Sequence, residues 1–271
     1  MGISFLDREG RRVAYEARGS GPLVICSPAM GDTREAYGLF ADGLVARGYR
    51  VVLLDLRGHG DSDHGFTRYG DEATAEDLLA AIDAFGDGPA YLVGASMSAA
   101  AAVIAAGRRP EAVAGLVLLG PFLRNGAGRA AQLALRVMLS RPWGPAIWRY
   151  YAASLWPGLG REEARARAAK TTQLLTRPGR WRAFTATART DHAVVTPWLA
   201  SVTAPSLVVM GEADPDWKNP RAEAEWIVQQ LGSQVLMVPG AGHAPMLEAP
   251  DVVTPRILEF LKGAADAARR P

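Results

Sequence analysis

The chain carries one cysteine, Cys26, in 271 residues. No intramolecular disulfide is possible. A thiol inside the apolar run Leu23-Val24-Ile25-Cys26 reads as a buried structural group, not a reactive one. Excess charge is equally scarce. Thirty Lys and Arg against 28 Asp and Glu leave a net charge of +2, too little for a basic face that would hold nucleic acid. Lysine occurs only at Lys170, Lys218 and Lys262. No apolar run approaches bilayer length, and the opening MGISFLDREG lacks the basic region and apolar core of a secretory signal. Leu6 stands where a myristoylated Gly2 would need Ser or Thr. The expectations are therefore a cytoplasmic protein with no nucleic-acid partner and no membrane. A homo-oligomer is left open.

Two further absences narrow the chemistry. No glycine-rich phosphate fingerprint follows the first apolar runs, so no nucleotide cofactor is expected. Asp55, His59, Asp61 and Asp63 share one loop without helical ligand spacing, so no metal is expected there either.

What is present is the balance of a globular protein, 49% hydrophobic and 21% charged, in a chain long enough for one large domain or one domain with an insertion. Short apolar runs alternate with helical patterns, the mark of a parallel sheet covered by helices. Strands are expected at residues 11–18, 22–27, 50–55, 90–94, 114–120, 206–211 and 233–238. Helices are expected at 33–47, from a capping arrangement at Thr74-Ala75-Glu76-Asp77 to about 85, at 99–108 and at 252–263. The alternation stops between residues 121 and 190, where Ala- and Arg-rich helical stretches are broken by Pro142, Pro145, Pro157 and Pro178. The expected fold class is α/β: a mostly parallel central sheet with helices on both faces. Residues 1–121 and 191–271 form the core and residues 122–190 an inserted helical cap. Such an insertion is far longer than an ordinary connection and commonly shapes a binding site.

One stretch, YLVGASMSAA, places Ser96 where a strand must reverse into a helix. A sharp turn there lifts the hydroxyl above the sheet, and the N–H of Met97 at the helix start points where an oxyanion would form. Gly94 fits a position that allows no bulk, and Ser98 is small enough for the helix to pack. A plain helix-capping serine is the competing reading. A serine nucleophile needs a base. His243, in VPGAGHAPMLEAPD beyond the last strand, can be aimed back over the sheet by Gly240 and Gly242. His192 reads as a cap-lining residue, and His59 and His64 belong to another loop. The base needs an acid. Asp214 in VVMGEADPDW follows a strand, with Asp216 its close competitor and Glu212 a weaker one. The order Ser, Asp, His is that of one fold.

With SPAMGDTREAY, DLRGHGDSD, GASMSA, GEADPD and GHAPMLEAP in this order, the sequence resembles the lid-bearing branch of the α/β-hydrolase superfamily over nearly everything except the insertion. The resemblance implies Ser96 as nucleophile, Asp214 as acid and His243 as base. It implies an oxyanion hole from the Met97 N–H and an N–H after the third strand. Relatives commonly carry His-Gly before that donor, and here Ser27-Pro28 aligns with the pair. Proline has no N–H, so the donor falls to Ala29. Met30, Phe122, Leu123, Trp143, Trp148 and Tyr151 are the expected substrate-binding residues. The aromatic ones also read as the cap's own core. Arg124 is the nearest candidate for an anionic tail. The expected activity is hydrolysis of an ester, lactone or thioester of a small apolar or aromatic acyl group. Carbon–carbon hydrolysis, cyanohydrin cleavage or cyclisation at the same site is the alternative, and a non-catalytic small-ligand binder is the third reading.

Overall fold

A computed structural model describes residues 2–86, 88–126 and 128–269. The strands are β1 Ser4–Arg8, β2 Arg11–Arg18, β3 Leu23–Ser27, β4 Arg50–Leu54, β5 Ala90–Ala95, β6 Val113–Leu119, β7 Ser206–Gly211 and β8 Gln234–Val238. They form one sheet in the order β1-β2-β4-β3-β5-β6-β7-β8. β1, β2 and β4 pair antiparallel, and every pairing from β4 to β8 is parallel. β1 is an additional edge strand. Its five residues mix Asp and Arg with Phe and Leu, which gives a poor apolar alternation.

The central strands are buried on both faces, hence their unbroken Val, Ile and Leu runs. Successive side chains go to opposite layers. Val24, Cys26, Val51, Leu53, Val93, Val117, Leu119 and Val209 pack with helix α1, Gly38–Val45, and with the last helix. Ile25, Val52, Leu54, Leu92, Leu116, Leu118 and Val208 pack with α2, Asp71–Phe85, and α3, Met97–Arg108. Cys26 is fully buried, and burial pushes its thiol well above the usual range.

Between β6 and β7 the chain forms α4 Arg129–Met138, α5 Gly144–Ala152, α6 Arg161–Leu175 and α7 Arg180–Thr187, then the short α8 Thr196–Leu199. Trp148, Trp156, Trp181 and Phe184 join these helices to the core layer that holds α1. The chain ends with α9 Pro220–Leu231, α10 Pro245–Glu248 and α11 Pro250–Ala268. No helix among the described residues is long and apolar enough to cross a membrane.

Two helix starts differ from expectation. α2 begins at Asp71 behind Gly70, so Thr74 lies inside the helix and caps nothing. Residues 34–37 form a separate 3-10 turn before α1. There the Arg34 N–H bonds Asp55 Oδ1 instead of a preceding carbonyl.

Candidate functional site

β5 lies between β3 and β6 at the centre of the sheet. Its end turns into α3 at Ser96, whose φ of 55° is a left-handed value rarely adopted by a residue with a side chain. The turn is tight enough that a Cβ on Gly94 would lie 2.3 Å from the Ser98 carbonyl oxygen. Glycine is therefore required there on steric grounds alone. Ser96 reaches the surface of a cavity of about 320 Å³ that Met97 and His243 also line. The Met97 N–H, at the first position of α3, has no acceptor among the described residues.

His243 is placed by a loop with its own scaffold. Its N–H donates to the Leu155 carbonyl at 2.8 Å. The Glu248 carboxylate accepts from the N–H groups of Gly242, Gly158 and Ala244 at 2.8, 2.8 and 3.0 Å. Gly120 passes so close that a Cβ there would meet the His243 carbonyl at 2.9 Å. Glu248 stood in the GHAPMLEAP stretch without a role. Its signal is the i, i+4 and i, i+6 spacing that returns a carboxylate to the loop preceding a helix.

The ring of His243 meets Asp214: Nδ1 is 2.8 Å from Asp214 Oδ2, both side chains being buried. Asp214 Oδ1 accepts the Asp216 N–H at 3.0 Å. Asp216 Oδ2 lies 3.4 Å from the same Nδ1, and Asp216 Oδ1 accepts from Tyr151 Oη. Glu212 is exposed and paired with Arg221 at 2.7 Å. Burial works against an imidazolium at His243. The charges of Asp214 and Asp216, the Asp214 hydrogen bond and the Glu248 charge outweigh it and hold the ring up to about 9. With Nδ1 turned to Asp214, Nε2 makes no hydrogen bond among the described residues. His243 and Ser96 share the cavity wall without a direct hydrogen bond, and contacts of this kind commonly tighten only when substrate binds.

The other histidines are accounted for. His59 is buried against the Arg57 carbonyl at 3.0 Å, and burial pulls it down to about 4. His64 is exposed beside Gly179. His192 lines the cavity and pairs with Asp71. In the DLRGHGDSD loop, Arg34 engages both Asp55 and Asp61, while Asp63 pairs with Arg12. These groups brace the loop after β3, and Arg167 of α6 reaches Asp32 of that loop at 2.6 Å. Asp214, Asp216 and His243 are the one cluster among the described residues whose ligand atoms lie within 4.8 Å of one another. His243 Nδ1 faces both carboxylates, at 2.8 Å from Asp214 Oδ2 and 3.4 Å from Asp216 Oδ2.

The loop after β3 carries Ala29, half-buried against the core, with no acceptor for its N–H among the described residues. Met30, Phe122, Trp148 and Tyr151 line the cavity. Two expected substrate-binding residues do not. Leu123 is 0% exposed and packs into the core layer that holds α2 and α3, whereas its neighbour Phe122 lines the cavity. Trp143 is 50% exposed, precedes α5, and donates its indole N–H to the Val137 carbonyl. Arg124 is occupied by Glu223 at 2.6 Å. Asn125, Leu135, Leu155 and Thr187 also stand in the wall, and nothing local in the sequence of the insertion marks which of its side chains turn inward.

The chain is 27% identical over 250 residues to the 2-(acetamidomethylene)succinate hydrolase of Mesorhizobium japonicum, spanning 90% of this chain and 89% of the relative. The solved structure of a thermophilic esterase from Thermogutta terrifontis superposes with a TM-score of 0.82 at 25% identity, covering 97% of each chain. The enol-lactonase from Burkholderia xenovorans shares the fold, with a TM-score of 0.82 at 19% identity over 96% of this chain and 100% of that one. The pattern of the alpha/beta hydrolase family matches residues 23–256, and the chain belongs to that family.

Proposed function

We propose that the protein is a serine hydrolase acting on a carboxylic ester, lactone or thioester through an acyl-enzyme. The observation that carries this is the buried Asp214–His243 pair opening on the same cavity as Ser96 at its positive-φ turn. Ser96 Oγ attacks the carbonyl carbon and its proton passes to His243 Nε2. The tetrahedral oxyanion takes hydrogen bonds from the N–H groups of Met97 and Ala29. Collapse expels the alcohol or thiol, which leaves with the proton from His243. Water then attacks the acyl carbon, giving a proton to His243, and the second tetrahedral intermediate collapses to the free acid as Ser96 Oγ leaves and takes that proton back from His243.

Asp214 holds the tautomer and offsets the imidazolium charge. The aromatic wall of Phe122, Trp148 and Tyr151, with Met30 and Leu155, suits a small apolar or ring-bearing acyl group. The test is a series of p-nitrophenyl esters of rising acyl length, followed before and during the first turnover. The expected result is a burst of nitrophenol equal to the enzyme, then slower steady release, with both lost in Ser96→Ala. Absence of turnover for every ester and lactone offered moves the site to carbon–carbon or lyase chemistry.

A further inference from the structure

The cavity wall holds a second carboxylate–imidazole pair. His192 lines the cavity, and its Nδ1 is 2.9 Å from Oδ2 of Asp71, whose side chain is fully buried in the first turn of α2. The other carboxylate oxygen, Asp71 Oδ1, is buried without a hydrogen-bond partner. A buried carboxylate with one polar side-chain partner is costly, and the helix N-terminus offsets part of that cost. The backbone around the pair is fixed as well. The His192 N–H donates to Asn125 Oδ1 at 3.1 Å, and the Asp71 N–H donates to Thr190 Oγ1 at 3.2 Å. Gly70 lets the chains meet, since a Cβ there would lie 2.3 Å from Thr190 Oγ1. The ring of Phe122 neighbours both imidazoles, 5.5 Å from that of His192 and 5.8 Å from that of His243.

A bond between the start of α2 and the end of the insertion needs only a small polar side chain. An imidazole held by Asp71 through Nδ1 does more, because its Nε2 makes no hydrogen bond among the described residues and remains for a ligand. We propose that His192, positioned by Asp71, is a specificity residue that binds a hydroxyl group on the acyl part of the substrate, remote from the scissile carbonyl. This rests on the hydrolase reading above and names its substrate class: hydroxyacyl esters or hydroxylated lactones. A hydroxyl suits Nε2 in either protonation state, donating to a neutral ring or accepting from an imidazolium. A hydrocarbon chain leaves Nε2 without a partner on a wall where Met30, Phe122, Leu135, Trp148 and Leu155 are apolar and Asn125, Thr187 and Thr190 are polar.

The experiment compares methyl hexanoate with its 3-hydroxy and 6-hydroxy derivatives by acid release, on wild type, His192→Phe, His192→Gln and Asp71→Asn. In the wild type at least one hydroxylated ester has a kcat/KM about tenfold or more above that of the plain ester. The ratio falls to about one in His192→Phe, is lowered in Asp71→Asn, and is partly kept in His192→Gln, which retains a hydrogen-bonding group. Both esters are measured on one preparation, so a reduced folded fraction cancels from the ratio. A wild-type ratio near one for both hydroxyl positions, or a raised ratio unchanged by His192→Phe, overturns the proposal. Labelling of Ser96 by a fluorophosphonate separates the two readings. A protein that labels but shows a flat ratio loses only the role of His192, whereas one that does not label loses the hydrolase reading and this proposal together.

Discussion

Ser98 Oγ donates to the Pro28 carbonyl at 2.6 Å and lies 2.9 Å from Ser27 Oγ, so two buried hydroxyls join the helix after Ser96 to the loop after β3. Ser98 has one hydroxyl hydrogen, and with that committed to Pro28 it accepts from Ser27. Tyr37 Oη completes the tie by donating to the Ser27 carbonyl at 2.8 Å. Ser27 and Ser98 are thus one device. It fixes the backbone carrying Ala29 relative to Met97, the two N–H groups assigned to the oxyanion.

Removing that device is expected to disturb catalysis and stability together. Ser98→Ala leaves the Pro28 carbonyl buried and unbonded, at a cost of about 1–3 kcal/mol. Thermal unfolding is expected to show a lowered Tm. With a donor misplaced, kcat is expected to fall by about tenfold to a hundredfold with KM little changed. Ser27→Ala is expected to be milder on both measures, because Ser98 keeps its bond to Pro28.

Asp214 and Asp216 are expected to separate in kinetics. Asp214→Asn removes the buried partner of Nδ1 and should lower kcat by about 10³–10⁴. Asp216→Asn leaves that bond in place and should cost far less. It also removes one charge that raises His243, so the rising limb of its pH–rate profile should shift to lower pH. The reverse order would exchange their roles, and equal losses would assign the acid to neither residue alone.

The pH dependence follows from the same ring. Only neutral His243 accepts the Ser96 proton, and the folded ring is held up to about 9. Accordingly kcat/KM should climb through the neutral range and level off near that value. Stability runs the other way. A group raised from its ordinary value of 6.5 contributes stability fully present below 6.5 and lost as pH rises through about 9. Denaturant unfolding at pH 6 and pH 9.5 should show this contribution only at the lower pH.

The helices between β6 and β7 are expected to set acyl size through Trp148. Its ring lies so close to the loop after β3 that a Cβ on Gly31 would be 2.3 Å from it. Trp148→Ala should destabilise by about 3–5 kcal/mol and move the preferred p-nitrophenyl ester toward longer or branched acyl chains. Gly31→Ala, which also has a φ of 85° to satisfy, should displace the indole and lower Tm.

The core was legible because its strands are buried on both faces, which leaves continuous apolar runs such as Leu23–Ser27 and Ser206–Gly211. Ser96, Asp214 and His243 were legible because each follows a strand that ends on one edge of the sheet, and the chain order limits the choice. Asp214 and Asp216 stand two residues apart in one turn, and the structure puts Oδ2 of the first at 2.8 Å and Oδ2 of the second at 3.4 Å from the same nitrogen. Leu123 and Trp143 were misplaced because position after a strand, or in an aromatic cluster, does not say which way a side chain turns. Asp71 and His192 are 121 residues apart and meet only through folding. The cap at Thr74 failed because Gly70 and the Thr190 contact start α2 one turn earlier.

Whether Ser96 is an activated nucleophile is read from intact mass after brief exposure to a fluorophosphonate. The expected result is one adduct on Ser96 within minutes, none in Ser96→Ala, almost none in His243→Ala, and normal labelling in His64→Ala. Labelling that persists in His243→Ala at the wild-type rate, or a wild type that takes up no probe, would contradict it.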